Sequence, residues 1–520
     1  MTEPTLPATL PRLSADALRQ RGDARHDRPI RAVQFGTGAL LRGLVDDALD
    51  RAAGDGRWDG RVVVVSQTGS GRGAAFNEQD GLFTLRVRGV EEGQTIDQTR
   101  VVASVDRALS AADDWGEVLA LARDPALDVV VSNTTEVGLT WDDGDDPEAA
   151  PPRSFPAKLA AFLRARSEAG LGPVVVLPTE LVEDNGAVLR DLVLRWTDRA
   201  GWDASVAELV RSCAFCDTLV DRIVTGTPPD LEAAQAEAGW SDPLMTDTEP
   251  YRLWAIAPPD GTPADALRQR LAFAPDDPAD GAGIVVAPSI EPFRLRKVQL
   301  LNATHTLLVP VALGCGLETV GQAVQDERVG AYVGRLLTDE LVPAVAADLA
   351  QAGGDPATAA PFARAVLDRF ANPFIEHELR SITLQQTMKL GVRVVPSVLA
   401  LDRAGDVPES VALGVAAFLL LVRAAGEPEP DAPLTFATTD LLTDDRAEAV
   451  RQRWHAQPDA AGAVASILAD ADLWGHDLTA LPVTGSAFTD AVAGFAERAL
   501  SDGLPAAVDA LLAVPNPTLS

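Results

Sequence analysis

The sequence predicts an α/β protein in which a parallel-sheet domain is followed by a mainly α-helical C-terminal domain. Three observations carry that expectation. Short apolar runs alternate with helical patterns as far as Ala287, the order expected of strands joined by crossover helices. Pro, Asp and Gly cluster at 258–283 and close that region. Beyond Pro292 the pattern is helical almost to the end. A chain of 520 residues also exceeds one ordinary core. The boundary is placed near 289, giving domains 1–289 and 290–520.

After an N-terminal arm, Ile30 to Phe35 reads as a strand that runs into Gly36-Thr37-Gly38-Ala39-Leu40-Leu41-Arg42-Gly43. Strand, glycine turn and helix make a Rossmann-like, dinucleotide-binding start. Gly36 permits the tight turn and Gly38 lets the backbone approach a pyrophosphate. The helix through Leu44, Val45 and Leu49 offers its first amides to phosphate. Arg42 is a further cofactor-binding candidate at the head of that helix. Leu41 stands where the fingerprint has its third glycine, and a lone Gly-x-Gly equally fits an ordinary βα turn. The next strand, Arg61 to Ser66, leads to Gln67, Thr68, Gly69, Ser70, Gly71 and Arg72. No carboxylate stands there to read a ribose, so NAD and NADP are both open from these residues.

Segments 83–90 and 101–105 read as strands, 114–122 as a helix, and 128–133 as a strong strand. That strand ends in Asn133, Thr134, Thr135 and Glu136. Ligands of open α/β sheets lie at the carboxyl ends of strands, so these four residues are the expected nicotinamide edge. A surface loop is expected at 142–152, a buried strand at 174–177 and a helix at 187–196. Cys213 and Cys216 form a CxxC with no second pair, which points neither to zinc nor to redox chemistry. Asp221 and Arg222 sit among apolar residues and must be paired or functional. After a last strand at 284–287, helices are expected at 316–351, 357–371, 373–390, 407–425 and 443–455, with more to 513. The Pro/Asp stretch 427–433 reads as a loop.

The formal charge of −32 argues against nucleic acid or an anionic membrane surface as partner. Three cysteines in this length fit a reducing compartment, and the cytoplasm is the expected location. The N-terminus lacks the apolar core of a secretory signal. The longest apolar run, 411–422, is too short to span a bilayer. Five histidines without a close pair make a catalytic metal unexpected.

The chemistry concentrates in 294–308, an apolar run that carries Lys297, Asn302 and His305. On an α-helix Asn302 lies about 140° and His305 about 80° around the axis from Lys297, so one broad face carries all three. A lysine can hand a proton to a carbonyl oxygen when burial and nearby cations weaken its hold on it. Arg294 and Arg296 are the nearby cations. Asn302 and His305 would hold the same oxygen as negative charge develops on it. An amphipathic helix with a snorkelling lysine and a hydrogen-bonded histidine accounts for each residue taken singly.

Taken together, Lys297, Asn302 and His305, following a Gly-x-Gly turn and a Thr-Glu loop, resemble the signature of the polyol-specific long-chain dehydrogenases, the mannitol dehydrogenase family. The resemblance covers roughly 30–400. Ser132 to Glu136, Phe215 to Gly226, Lys297 to Pro310 and the segment from Arg369 through Phe370 to His377 resemble its tagaturonate reductase (altronate oxidoreductase) branch in particular. The resemblance implies a metal-independent, NAD-dependent reductase of keto-hexuronates, with a helical domain closing over the active site. Lys297 is the implied general acid/base, and Asn302 and His305 the implied oxygen-holding pair. Asp221 and Lys389 are implied substrate contacts. Ser381 stands where mannitol dehydrogenases have arginine, one step from Arg380. Glu180-Leu181 replaces their Asp-Asn pair and leaves Asn185 as the nearby amide. Both departures point away from mannitol. A substrate carboxylate calls for local cations, for which Arg294, Arg296, Arg380, Lys389 and Arg393 are candidates. The implied partner is a small sugar acid or polyol, bound by a monomer or small homo-oligomer. The neighbouring readings are a fructuronate/mannonate or mannitol-type enzyme and, in another class, a non-catalytic nucleotide-binding sensor of sugar acids.

Overall fold

The computed structural model describes residues 10–19, 28–67, 72–276, 283–426, 433–438 and 443–514. The expectations for Thr68 to Gly71, for most of the N-terminal arm and for 427–432 lie outside the described residues. The chain forms two compact units, one of Met1–Arg88 with Ile96–Ile290, the other of Gly89–Thr95 with Glu291–Ser520.

In chain order the strands of the first unit are β1 (Ile30–Phe35), β2 (Arg61–Ser66), β3 (Phe83–Glu91), β4 (Gln94–Val102), β5 (Val105–Ser110), β6 (Val129–Ser132) and β7 (Val175–Pro178). Then follow β8 (Ala214–Phe215), β9 (Asp217–Asp221), β10 (Val224–Gly226), β11 (Thr246–Thr248), β12 (Leu253–Ala257) and β13 (Ile284–Val286). Six of them form a parallel sheet in the order β5-β2-β1-β6-β7-β8. Its faces are sorted residue by residue. Val62, Val64, Val129 and Val131 enter one apolar core, while Val63, Val65 and Val130 enter the other. Burial on both faces is why these strands read as unbroken apolar runs. Strand order changes direction between β1 and β6, the switch point at whose carboxyl edge ligands bind in such sheets.

The described strands form two smaller sheets besides, in the orders β10-β11-β3-β4 and β13-β12-β9. The expected strand at 101–105 is instead the end of β4 and the start of β5, divided at Ala103 and Ser104. Most of β4 is exposed and polar, so no apolar signal marked it.

The described residues of the second unit beyond Ile290 are helices and their connections. Its first helical stretch runs unbroken through Glu291–Arg296, a π-helical turn at Lys297–Asn302, and Ala303–Gly314. Two expected helices are corrected. Segment 316–351 is divided into Val320–Gln325, Glu327–Arg335, a π turn at Leu336–Leu341, and Val342–Gln351. Segment 373–390 is not one helix: Leu379–Ile382 and Gln386–Arg393 are separated by Gln385 at φ 52°. A helix at Val395–Ala404 follows that the sequence pattern did not reveal.

Candidate active site

At the head of the switch point Gly36 has φ +133°, and a Cβ there would lie 2.8 Å from both the Asn133 carbonyl oxygen and Leu41 Cδ1. Only glycine fits. Gly38 has nothing within 4 Å of a built Cβ, which leaves its backbone open to a close ligand. The helix then begins, passes through a π turn at Leu41–Asp46 and continues as Asp47–Gly54. These residues fit a dinucleotide: an open glycine turn stands before helix amides at the sheet's switch point.

Arg42, the expected cofactor-binding arginine, lies against the glycine turn. Its guanidinium is buried, donating to the Thr37 carbonyl at 2.8 Å and to Thr246 Oγ1 at 3.0 Å, and burial lowers its pKa to about 10. It braces the glycine turn from within. Gln34, also buried, donates to the Gly36 carbonyl and to Asp46. Burial pushes the Asp46 carboxyl up to about 7.

The carboxyl ends of β6 and β7 are tied together by Glu180. It accepts from Ser132 Oγ at 3.0 Å and from the Thr134 backbone N–H and hydroxyl at 2.8 and 2.9 Å. Burial raises its pKa against those bonds. Asn133 donates to the Thr179 carbonyl and hydroxyl. Thr135 has φ 68°, an uncommon value for a non-glycine residue, and Glu136 is exposed. The expected nicotinamide edge is therefore a cross-linked rim at the switch point. Arg72, exposed, opens the helix Arg72–Glu78.

Asn185, the expected substrate amide, lies at the ends of two strands. Its amide is buried and donates to the carbonyls of Pro178, Glu180 and Thr218, while its oxygen accepts from the Thr218 N–H at 2.9 Å. It clamps two strand ends, and its hydrogen bonds are spent on protein groups. Asp221 is buried at the end of β9. Its neighbour Arg222 pairs with Asp47 at 2.7 Å and also donates to the Gly43 and Glu249 carbonyls, both side chains of the pair being fully buried. Cys213 and Cys216 belong to the cores on opposite faces of the sheet, and burial pushes the Cys216 thiol up to about 12.

In the second unit, Lys297 opens the π turn and Asn302 closes it, with the Ala303 N–H donating to the Val298 carbonyl five residues back. A π turn stacks residues five apart. Lys297 and Asn302 are therefore one turn apart on one side of the helix, not the 140° expected of a regular α-helix. Asn302 and His305, three apart, are surface neighbours. The buried His305 Nε2 meets no hydrogen-bond partner among the described residues.

The surroundings of His305 leave no mark in the sequence pattern. Its ring stacks on Phe370, with centroids 4.2 Å apart and 19° between planes, and meets His377 edge-on at 5.3 Å. Burial, then His377, Arg369, Arg393 and Lys389, hold its pKa well below the usual histidine value. Burial and these neighbours thus favour the neutral form of the His305 ring. Phe370 and His377 fall in the 369–377 segment that the resemblance marked. No periodicity pointed to them.

Proline shapes the next turn. Pro310 has no N–H, so it cannot bond the Thr306 carbonyl four residues back. Gln386 Nε2 takes that carbonyl at 2.7 Å and docks the helix Gln386–Arg393 against this one. On that helix Lys389 donates to the Ile382 carbonyl at 2.9 Å and Arg393 to Thr306 Oγ1 at 3.4 Å. The other cations are engaged elsewhere. Arg294 pairs with Glu291 at 2.5 Å. Arg296 lies over the Phe362 ring at 4.6 Å and the Phe293 ring at 5.5 Å. Arg380 lines an open cavity of about 210 Å³ with Glu318, Glu376 and Glu378, acids that would repel a substrate carboxylate. Among the described residues no group of three or more His, Cys, Asp or Glu is placed to hold a metal ion, and no helix is long and apolar enough to cross a membrane.

Residues 30–264 match the mannitol dehydrogenase Rossmann domain and residues 289–495 the mannitol dehydrogenase C-terminal domain. An altronate oxidoreductase of Yersinia enterocolitica is 35% identical over 507 residues, covering 95% of this chain and 99% of that protein. One of Bacillus subtilis is 32% identical over 465 residues, covering 87% and 90%. The fold is shared with substrate-free D-sorbitol dehydrogenase (TM-score 0.74, 20% identity, covering 95% of this chain and all of that one). It is also shared with Pseudomonas fluorescens mannitol 2-dehydrogenase in ternary complex with NAD and D-mannitol (TM-score 0.63, 21% identity, covering 97% and 100%).

Proposed function

The chain belongs to the mannitol dehydrogenase family and is an oxidoreductase acting on CH–OH groups, and on that premise we propose that it interconverts tagaturonate and altronate with NAD. The observation that carries the reading is the π turn, which stacks Lys297 on Asn302 within three residues of the orphaned His305 Nε2. The substrate class comes from the relatives named altronate oxidoreductase, which match along nearly the whole chain.

The nicotinamide, when bound, gives hydride to the keto carbon or takes it back. Lys297 delivers its proton to the carbonyl oxygen as the C=O double bond becomes C–O–H, and in oxidation it receives that proton. The Asn302 amide and the His305 Nε2–H hold the oxygen while negative charge develops on it. A neutral His305 suits this role, because it donates one hydrogen bond and does not compete with Lys297 as the acid. On the first unit, the helix amides beyond Gly38 would hold the cofactor's pyrophosphate, and Asn133, Thr134, Thr135 and Glu136 would contact its nicotinamide end.

The test is an activity panel of tagaturonate, fructuronate, fructose and their reduced forms with NAD and NADP. The highest kcat/KM is expected for tagaturonate reduction with NADH. A preference for fructose or fructuronate, or for NADPH, overturns the corresponding part of the reading.

A further inference from the structure

We propose that Arg393 is the residue that selects an acidic substrate, its guanidinium fork taking the substrate carboxylate while Lys297, Asn302 and His305 hold the reacting oxygen. The inference rests on the reading of a keto sugar acid as substrate. In a chain of net charge −32 most arginines are expected to meet acids, and within this unit Arg294, Arg328, Arg335, Arg403, Arg451 and Arg453 do. Half-buried Arg393 has no carboxylate partner among the described residues. Its hydrogen bond is a long one, 3.4 Å, to Thr306 Oγ1. That hydroxyl in turn donates to the Asn302 carbonyl at 2.8 Å, so the guanidinium is anchored to the turn that carries Asn302 and His305.

A second cation reinforces it. Lys389, one helical turn earlier, is held by the Ile382 carbonyl and has no ion pair among the described residues. Two half-buried cations on one helix, neither in a contact ion pair among the described residues and only Lys389 feeling a nearby acid, Asp444, cost free energy unless an anion joins them. A neutral polyol does not neutralise them, and a hexuronate does. Arginine suits the task because its planar fork bonds both carboxylate oxygens. The candidates Arg294, Arg296 and Arg380 do not compete, being engaged with Glu291, with phenylalanine rings and among three glutamates.

The experiment compares altronate oxidation by wild type, Arg393→Gln and Arg393→Lys, with the cofactor KM and the thermal unfolding temperature measured alongside. In Arg393→Gln the altronate KM is expected to rise on the order of ten- to a hundredfold. The rise exceeds any fall in kcat, and the cofactor KM stays within about twofold. Arg393→Lys keeps the charge but not the fork, so its KM falls between the two, and it decides the matter if Arg393→Gln folds poorly. An active wild type whose altronate KM stays within about twofold in both variants overturns this inference alone. So does a cofactor KM that rises in step with it. A wild type inert to altronate overturns the reading and this inference together.

Discussion

The His305 ring lies flat on Phe370, 4.2 Å between centroids, so its plane is fixed by packing on one face and by the His377 edge on another. A ring so held aims Nε2 without a hydrogen bond to do it. Phe370→Leu keeps apolar bulk but not the flat surface. The expected result is a fall in kcat on the order of tenfold, since small misplacements of a reacting group are costly, with the cofactor KM unchanged. Steady-state kinetics at saturating cofactor checks it, and an unchanged kcat would show that stacking does not position the ring.

The Thr306 carbonyl, freed by Pro310 and taken by Gln386 Nε2, supports a stability cycle. Gln386→Ala strands a buried carbonyl and is expected to cost about 1–3 kcal/mol. In the Pro310→Ala background residue 310 regains its N–H, and the same change is expected to cost less. Denaturant unfolding of the four proteins measures the coupling. Additive costs would mean that Gln386 does not replace the missing helix bond.

Glu340 is buried, accepts from the Ser410 and Val411 N–H groups at 2.6 and 3.0 Å, and is pushed by burial to about 7 from 4.5. A carboxyl with a raised folded-state pKa binds its proton more tightly when folded. Its contribution is full below the unfolded pKa and is lost as pH rises through about 7. Glu340→Gln removes the titration. The stability of the variant relative to wild type is therefore expected to improve as pH rises from about 4.5 to about 7 and to level off above that. Chemical denaturation across that range reads the slope, and a flat difference would place the carboxylate in a less costly environment.

Arg222 and Asp47 are both fully buried. Burial alone would raise the Asp47 pKa, but Arg222, Arg100 and Arg51 hold it below the usual carboxylate range. Arg222→Met leaves the acid with two partly exposed arginines and is expected to cost about 3–5 kcal/mol. Thermal unfolding checks this. A loss of activity without loss of stability would instead move Arg222 into the substrate site.

The central sheet was legible because its strands are buried on both faces: Val62 to Val65 can only be an interior strand. Strand β4 was not, because Gln94–Val102 is mostly exposed and its pairing is decided by tertiary structure. The lysine, asparagine and histidine were legible as residue types, yet the π turn that brings Lys297 and Asn302 into line leaves no mark on composition. The three carbonyls that the Asn185 amide meets were not legible, because they come together only in the fold. Arg393 stood as one of five equal cations until the partners of Arg294, Arg296 and Arg380 were seen.

The most direct test of the mechanism is the turnover of Lys297→Ala with tagaturonate and NADH, paired with the cofactor affinity of the same variant. If Lys297 is the proton donor, kcat falls on the order of a hundred- to ten-thousandfold while NADH binds as in wild type. Turnover within about twofold of wild type would contradict the assignment of the acid/base to Lys297.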